Sequence, residues 1–105
     1  MKELIETLIK FRDERNWKRF HTPENIAKSI VLEAAELLEN FQWGNSDEDI
    51  ESIKEELADV ITYCLYMCEK YNFDVIEIVK DKIKKNEKKY PIDKSYGVST
   101  KYDKL

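Results

Sequence analysis

Apolar side chains recur at intervals of three and four along almost the whole chain, the repeat of an amphipathic helix rather than a strand. Leu4, Ile5, Leu8 and Ile9, with Phe11 nearby, predict a first helix over about residues 2–15. The run from Asn16 to His21 breaks the repeat, and Thr22-Pro23 restarts it. Threonine caps a helix start well, and proline fits the first turn, where its missing N–H is not needed. The second helix carries Ile26, Ala27, Ile30, Val31, Ala34, Leu37, Leu38 and Phe41 to a stop at Gly44-Asn45. Ser46, followed by Asp47, Glu48 and Asp49, predicts the next cap, with acidic groups facing the positive end of the helix dipole. The third stripe is Ile50, Ile53, Leu57, Val60, Ile61, Cys64, Leu65 and Cys68, running to about Lys70. Asp74 and Glu77 form a capping-box-like start for a fourth helix that buries Val75, Ile76, Val79 and Ile83 and ends before Pro91. Residues 92–105 show no period and read as a polar tail, or an arm onto a neighbour. The pattern predicts an all-α fold, an antiparallel four-helix bundle over residues 1–91 followed by that tail.

Composition narrows this picture. With 105 residues, 2 Gly and 2 Pro, the chain suits one domain and lacks the turn residues of a many-stranded β fold. A chain of this size hides only roughly 60–70% of its extended surface, so association with further copies is expected. The net charge of −4 disfavours binding to a nucleic-acid polymer, which wants a basic surface. No apolar run approaches a membrane span, and Met1-Lys2-Glu3-Leu4 has no secretory core, so a cytoplasmic protein is expected, with no membrane partner. Cys64 and Cys68 are too few for a disulfide framework and lie on the apolar stripe, where they read as small buried groups.

Four carboxylates stand apart from the rest. Glu33 and Glu36 share a face of the second helix, and Glu56 and Asp59 repeat that spacing on the third. The two pairs mirror each other about Ser46, so helices folded back there set Glu33 level with Asp59 and Glu36 level with Glu56. An acidic pair three residues apart is ordinarily a solvated face. Here Glu33 lies at the edge of the apolar stripe, between Ile30 and Leu37. Gathered carboxylates repel, and such a cluster persists only with cations bound or protons retained. All-oxygen ligands point to Mg²⁺ first and Mn²⁺ second. A di-iron bundle wants Glu-x-x-His pairs, and the single histidine, His21, lies in a loop.

With Glu33-Ala34-Ala35-Glu36 and Glu56-Leu57-Ala58-Asp59 in place, the chain resembles the MazG-like nucleoside triphosphate pyrophosphohydrolases, and within them the dCTP pyrophosphatase-like branch. The similarity runs through residues 12–23, with Arg12, Trp17, Phe20 and His21, then Phe41-Gln42-Trp43, residues 55–63, and residues 82–91 ending in Tyr90-Pro91. Leu32 stands where many members carry an extra glutamate, a departure that the branch shares. The resemblance implies hydrolysis between the α- and β-phosphates, releasing a nucleoside monophosphate and pyrophosphate in nucleotide-pool house-cleaning. It implies Glu33, Glu36, Glu56 and Asp59 as metal ligands, with Glu33 or Glu36 orienting or deprotonating the attacking water. It further implies phosphate contacts for Lys82 and Asn86, and assembly as a homodimer or dimer of dimers.

Trp17, His21 and Trp43 are the candidate base pocket, since aromatic faces stack on nucleobases; each has an ordinary structural role open to it as well. Tyr63, one turn beyond Asp59, either reaches the sugar or borders the metal helix. Lys82 lies on the line of Val75 and Val79, where a lysine stem also simply covers apolar surface. Two other functions compete with the enzyme reading: a non-catalytic acidic helical interaction module, and a related pyrophosphohydrolase acting on a different phosphorylated metabolite.

Overall fold

The computed structural model describes residues 1–44 and 49–105. These form five α-helices, α1 (Lys2–Glu14), α2 (Pro23–Glu39), α3 (Ile50–Lys70), α4 (Val75–Lys89) and α5 (Ile92–Ser95), with 3₁₀ turns at Lys18–Phe20 and Tyr102–Lys104. No strand occurs among the described residues, and the all-α expectation holds. No helix among them is long and apolar enough to cross a membrane.

Contacts divide the chain into two compact units, Met1–Asn72 and Phe73–Leu105. In the first, α2 packs along α3 and α1 packs on α3. Thr22 caps α2 as expected: its side chain accepts the Asn25 N–H at 3.2 Å, with Pro23 in the first turn. The Asn25 amide group also donates to the Phe20 carbonyl at 3.0 Å, tying the 3₁₀ turn to the start of α2. Helix α1 ends in a Schellman arrangement. Asn16 takes a left-handed φ of 55°, its N–H donates to the Asp13 carbonyl at 3.1 Å, and the Trp17 N–H donates to the Arg12 carbonyl at 3.1 Å. Asparagine tolerates that conformation better than other residues with a Cβ. The break seen in the pattern at Asn16 is therefore a built turn that presents Trp17.

Two element ends differ from the expectation. Helix α2 closes at Glu39, and the chain continues to Gly44 in turns held by i→i−3 hydrogen bonds, which tighten a helix end when the next carbonyl partners run out. Asp49 caps α3, accepting the Ser52 N–H at 3.1 Å; the expected cap Ser46, with Asn45, Asp47 and Glu48, lies outside the described residues.

The core of the first unit is small: Ile26, Leu65, Tyr66 and Cys68. Cys64, expected in the core, is exposed, because the stripe of α3 is wider than the surface that α1 and α2 cover. Val31, Leu38, Phe41, Ile50, Leu57 and Ile61 are exposed as well, from the same stripes.

In the second unit Asp74 caps α4 as expected, accepting the Glu77 N–H at 3.0 Å, and α4 ends at Lys89, ahead of Pro91. Val75 is half-buried, but Ile76, Val79 and Ile83 are about half exposed rather than buried, a single long helix and two short turns being too little to cover them. Residues 92–105 are more ordered than a period-free tail suggests. The Tyr102 ring meets the Tyr90 ring edge-on at 6.1 Å, and the Lys89 ammonium lies 4.8 Å from its centroid, so the segment turns back onto the end of α4.

Candidate functional site

The antiparallel register of α2 and α3 brings the carboxylates together as the mirrored spacing requires. One oxygen each from Glu33, Glu56 and Asp59 lie within 4.8 Å of one another. Glu36 lies beside this triad, within hydrogen-bonding reach of both Glu33 and Glu56. Burial, then Glu36, then the charges of Asp59 and Glu56 push the Glu33 carboxyl up to about 7. Glu56 is also raised, first by its contact with Glu36 and then by partial burial.

Glu33 Oε2 and Glu56 Oε2 are buried and accept no hydrogen bond. Unpaired buried carboxylate oxygens are costly, and no donor among the described residues serves them. A hard divalent cation answers this deficit: the donors are all oxygen, converge on one point, and come from two packed helices. The residues fit a divalent metal.

Next to the triad lies an aromatic wall. Trp17, His21 and Tyr63 line two cavities, of about 240 and 350 Å³. Phe20, Asn25 and Ser29 complete the smaller one. The larger also takes Phe11, Tyr66 and Asp59 into its wall, so Asp59 belongs both to the acidic triad and to the cavity. The His21 ring lies 4.8 Å from Tyr66 and 6.2 Å from Tyr63, and Phe11 meets Trp17 edge-on at 5.8 Å. Burial pushes the His21 imidazole down, and Arg12 and Lys70 add to this against the opposing pull of Glu69, so the ring is neutral at pH 7. The Tyr63 hydroxyl is raised by burial and then by Glu33 and Asp59, with a hydrogen bond to Ser29 acting the other way.

Of the sequence candidates, Glu33, Glu36, Glu56 and Asp59 gather at one place, and Trp17, His21 and Tyr63 gather beside them. Trp43 sits on the turn after α2, 79% exposed, and lines neither cavity. Lys82 and Asn86 are exposed on α4, in the second unit. Sequence reasoning passed over Tyr66, Phe11 and Asn25 as wall residues. Tyr66 follows Tyr63 by one helical turn, a spacing that places the two on one face and was the available signal.

Comparison with known proteins bears on this site. A profile of the MazG-like family matches residues 28–105. Two proteins named dCTP pyrophosphatase 1, from Mus musculus and Homo sapiens, are each 33% identical over 90% of the chain. The chain spans 61% of the length of these relatives. The crystal structure of a pyrophosphatase from Archaeoglobus fulgidus is 46% identical, with a TM-score of 0.78 over 87% of this chain and 92% of that one.

Proposed function

Because this chain belongs to the MazG-like family, we propose that it hydrolyses nucleoside triphosphates, dCTP-like or non-canonical, to the monophosphate and pyrophosphate. The observation that carries this is the double membership of Asp59: a cation-hungry oxygen triad and an aromatic cavity of nucleobase dimensions adjoin through one residue. The names of the relatives, dCTP pyrophosphatase 1 and a pyrophosphatase, agree with it.

In this reading Glu33, Glu36, Glu56 and Asp59 hold Mg²⁺, with Mn²⁺ as a substitute. Bound there, the cation would polarise the phosphoryl group and neutralise the triphosphate. The acidic net charge of −4 makes such neutralisation necessary, since substrate and protein otherwise repel. Glu36, beside the tight triad rather than within it, is assigned to orienting the attacking water and receiving its proton. Trp17 and His21 hold the base by stacking and hydrogen bonding, and Tyr63 faces the sugar. Trp43 as a further base contact, and Lys82 and Asn86 as phosphate contacts, rest on the family resemblance. We further propose a homodimer or dimer of dimers, supported by apolar side chains such as Leu38, 67% exposed, and Val31, 68% exposed.

Pyrophosphate release from a panel of canonical and modified triphosphates, with and without Mg²⁺, tests the reading. Turnover should require the cation, and Glu36→Ala should lower kcat by at least about 100-fold while circular dichroism stays native. No release from any triphosphate, with the metal bound, would sink the proposal.

A further inference from the structure

Arg12 is the one buried charged side chain among the described residues, 3% exposed. A buried guanidinium is costly unless its charge is met. Here Nε donates to Asp13 Oδ1 at 2.9 Å and Nη1 donates to Glu69 Oε2 at 2.9 Å, joining the end of α1 to the end of α3. The acidic triad does not use this pair, and neither does the hydrolysis proposed above.

What the pair does touch is the aromatic wall. The guanidinium carbon lies 6.0 Å from the centroid of the Tyr66 ring. The Tyr66 hydroxyl donates to the Leu8 carbonyl at 2.8 Å, so this ring is pinned to α1 at two places, and His21 packs on it at 4.8 Å. At its other end the Arg12 carbonyl receives the Trp17 N–H at 3.1 Å. The Arg12 side chain thus reaches the ring on which His21 packs, and its backbone carbonyl closes the turn that presents Trp17. His21 Nδ1 is buried and has no hydrogen-bond partner among the described residues.

We propose that Arg12, through its ion pair with Glu69, is a positioning residue for base recognition, fixing Tyr66 beneath His21 so that the imidazole keeps its place in the cavity wall against an uncharged nucleobase. This rests on the nucleotide reading given above and deepens it. The charge environment agrees with the geometry. Arg12 from α1, and Glu69, Lys70, Tyr63 and Tyr66 from α3, face the imidazole, Asp59 shares its cavity wall, and Asn25 and Ser29 of α2 are uncharged. Burial first, and then Arg12 and Lys70 against Glu69, hold the ring neutral, with one donor and one acceptor nitrogen.

His21 is the single histidine, so its imidazole resonance can be followed unambiguously by NMR in the full chain. Titration with a dCTP analogue whose α–β bridge cannot be hydrolysed, in the presence of Mg²⁺, should shift that resonance saturably, giving a Kd without turnover. Arg12→Met should weaken Kd, and raise KM with Mg²⁺ present, about fivefold to tenfold, the effect of one misaligned hydrogen bond, with kcat within about twofold. Arg12→Lys, which can meet only part of the fork geometry, should fall between. Arg12→Met should move the His21 titration upward and Glu69→Gln should move it downward, opposite signs that a purely structural loss does not produce. Should Arg12→Met fail to fold, Arg12→Lys and Glu69→Gln carry the same readouts. Folded variants with unchanged Kd and an unmoved His21 resonance overturn the inference, and so does a fall in kcat equal to the fall in kcat/KM. A wild type that binds dCTP but hydrolyses no triphosphate overturns the hydrolase reading and leaves the positioning role standing; turnover with KM indifferent to Arg12 does the reverse.

Discussion

Glu33 carries the sharpest consequence of the acidic cluster. An unfolded chain leaves its carboxyl near 4.5, whereas the fold raises it to about 7. Between those values the native state holds more protons than the unfolded one, so stability falls as pH rises through the window and is lowest above it. Glu56, raised in the same direction, adds to the slope. The metal-free protein should therefore melt at a progressively lower temperature from pH 4.5 to 7, and millimolar Mg²⁺ should lift the melting temperature most at the upper end, since only the native cluster binds it. Glu33→Gln should remove most of the slope and most of the lift in scanning calorimetry; a wild-type melting temperature that is flat in pH and indifferent to Mg²⁺ would contradict a preformed site. The four carboxylates were legible in the sequence because helical spacing and a mirrored register both depend on nearby positions. Arg12 was not, because its partner Glu69 is 57 residues away and only the packing of α1 on α3 joins them. Cys64 was misjudged for a related reason: a stripe says which face is apolar, not how much of it a neighbour covers.

At the scale of elements, helix starts were easier to read than helix ends. Thr22-Pro23 and Asp74 act through side chains two or three residues from the groups they cap, so local sequence specifies them. Helix α2 ends by a change from i→i−4 to i→i−3 bonding with no dedicated stop residue before Gly44, and the pattern overran it to Phe41. The end of α1 shows how such a boundary reaches the site. Asn16 at a φ of 55° closes the turn whose next residue is Trp17, so backbone strain there displaces a cavity wall. Asn16→Ala should destabilise the protein by about 1–2 kcal/mol, the penalty for a Cβ residue in the left-handed region, and should weaken nucleotide binding alongside it. Asn16→Gly should spare both, because glycine adopts that φ freely. Urea melts read the first effect and dCTP titrations the second. Equal stabilities for the two variants would show that the left-handed turn does not hold Trp17.

For the whole molecule, the apolar surface left open on α2 and α3 is the feature that the chain does not resolve by itself. Val31 and Leu38 are about two-thirds exposed, and Leu57 and Ile61 nearly half, on the same two helices that carry the acidic triad. The stripes that misled the reading of Cys64 are thus wider than the described residues cover. Covering these side chains with a second copy of the 105-residue chain, the association proposed above, would also enlarge a small core. Leu38→Glu separates this from a solvated face. On a monomer, a charge at a position already in water changes stability by no more than about 0.5 kcal/mol. At an interface it places an unpaired carboxylate in an apolar contact, which costs several times that and drives dissociation. Analytical ultracentrifugation should find the wild type as a dimer or tetramer with a melting temperature that depends on protein concentration, and Leu38→Glu shifted toward monomer with that dependence weakened. Pyrophosphate release should fall with the dimer fraction if α2 and α3 need a neighbour to stay aligned, because a displacement of about 1 Å between the helices is enough to open the oxygen triad. A variant that sediments and melts as the wild type does would return this face to solvent, and the acidic and aromatic groups would then have to work within a single chain.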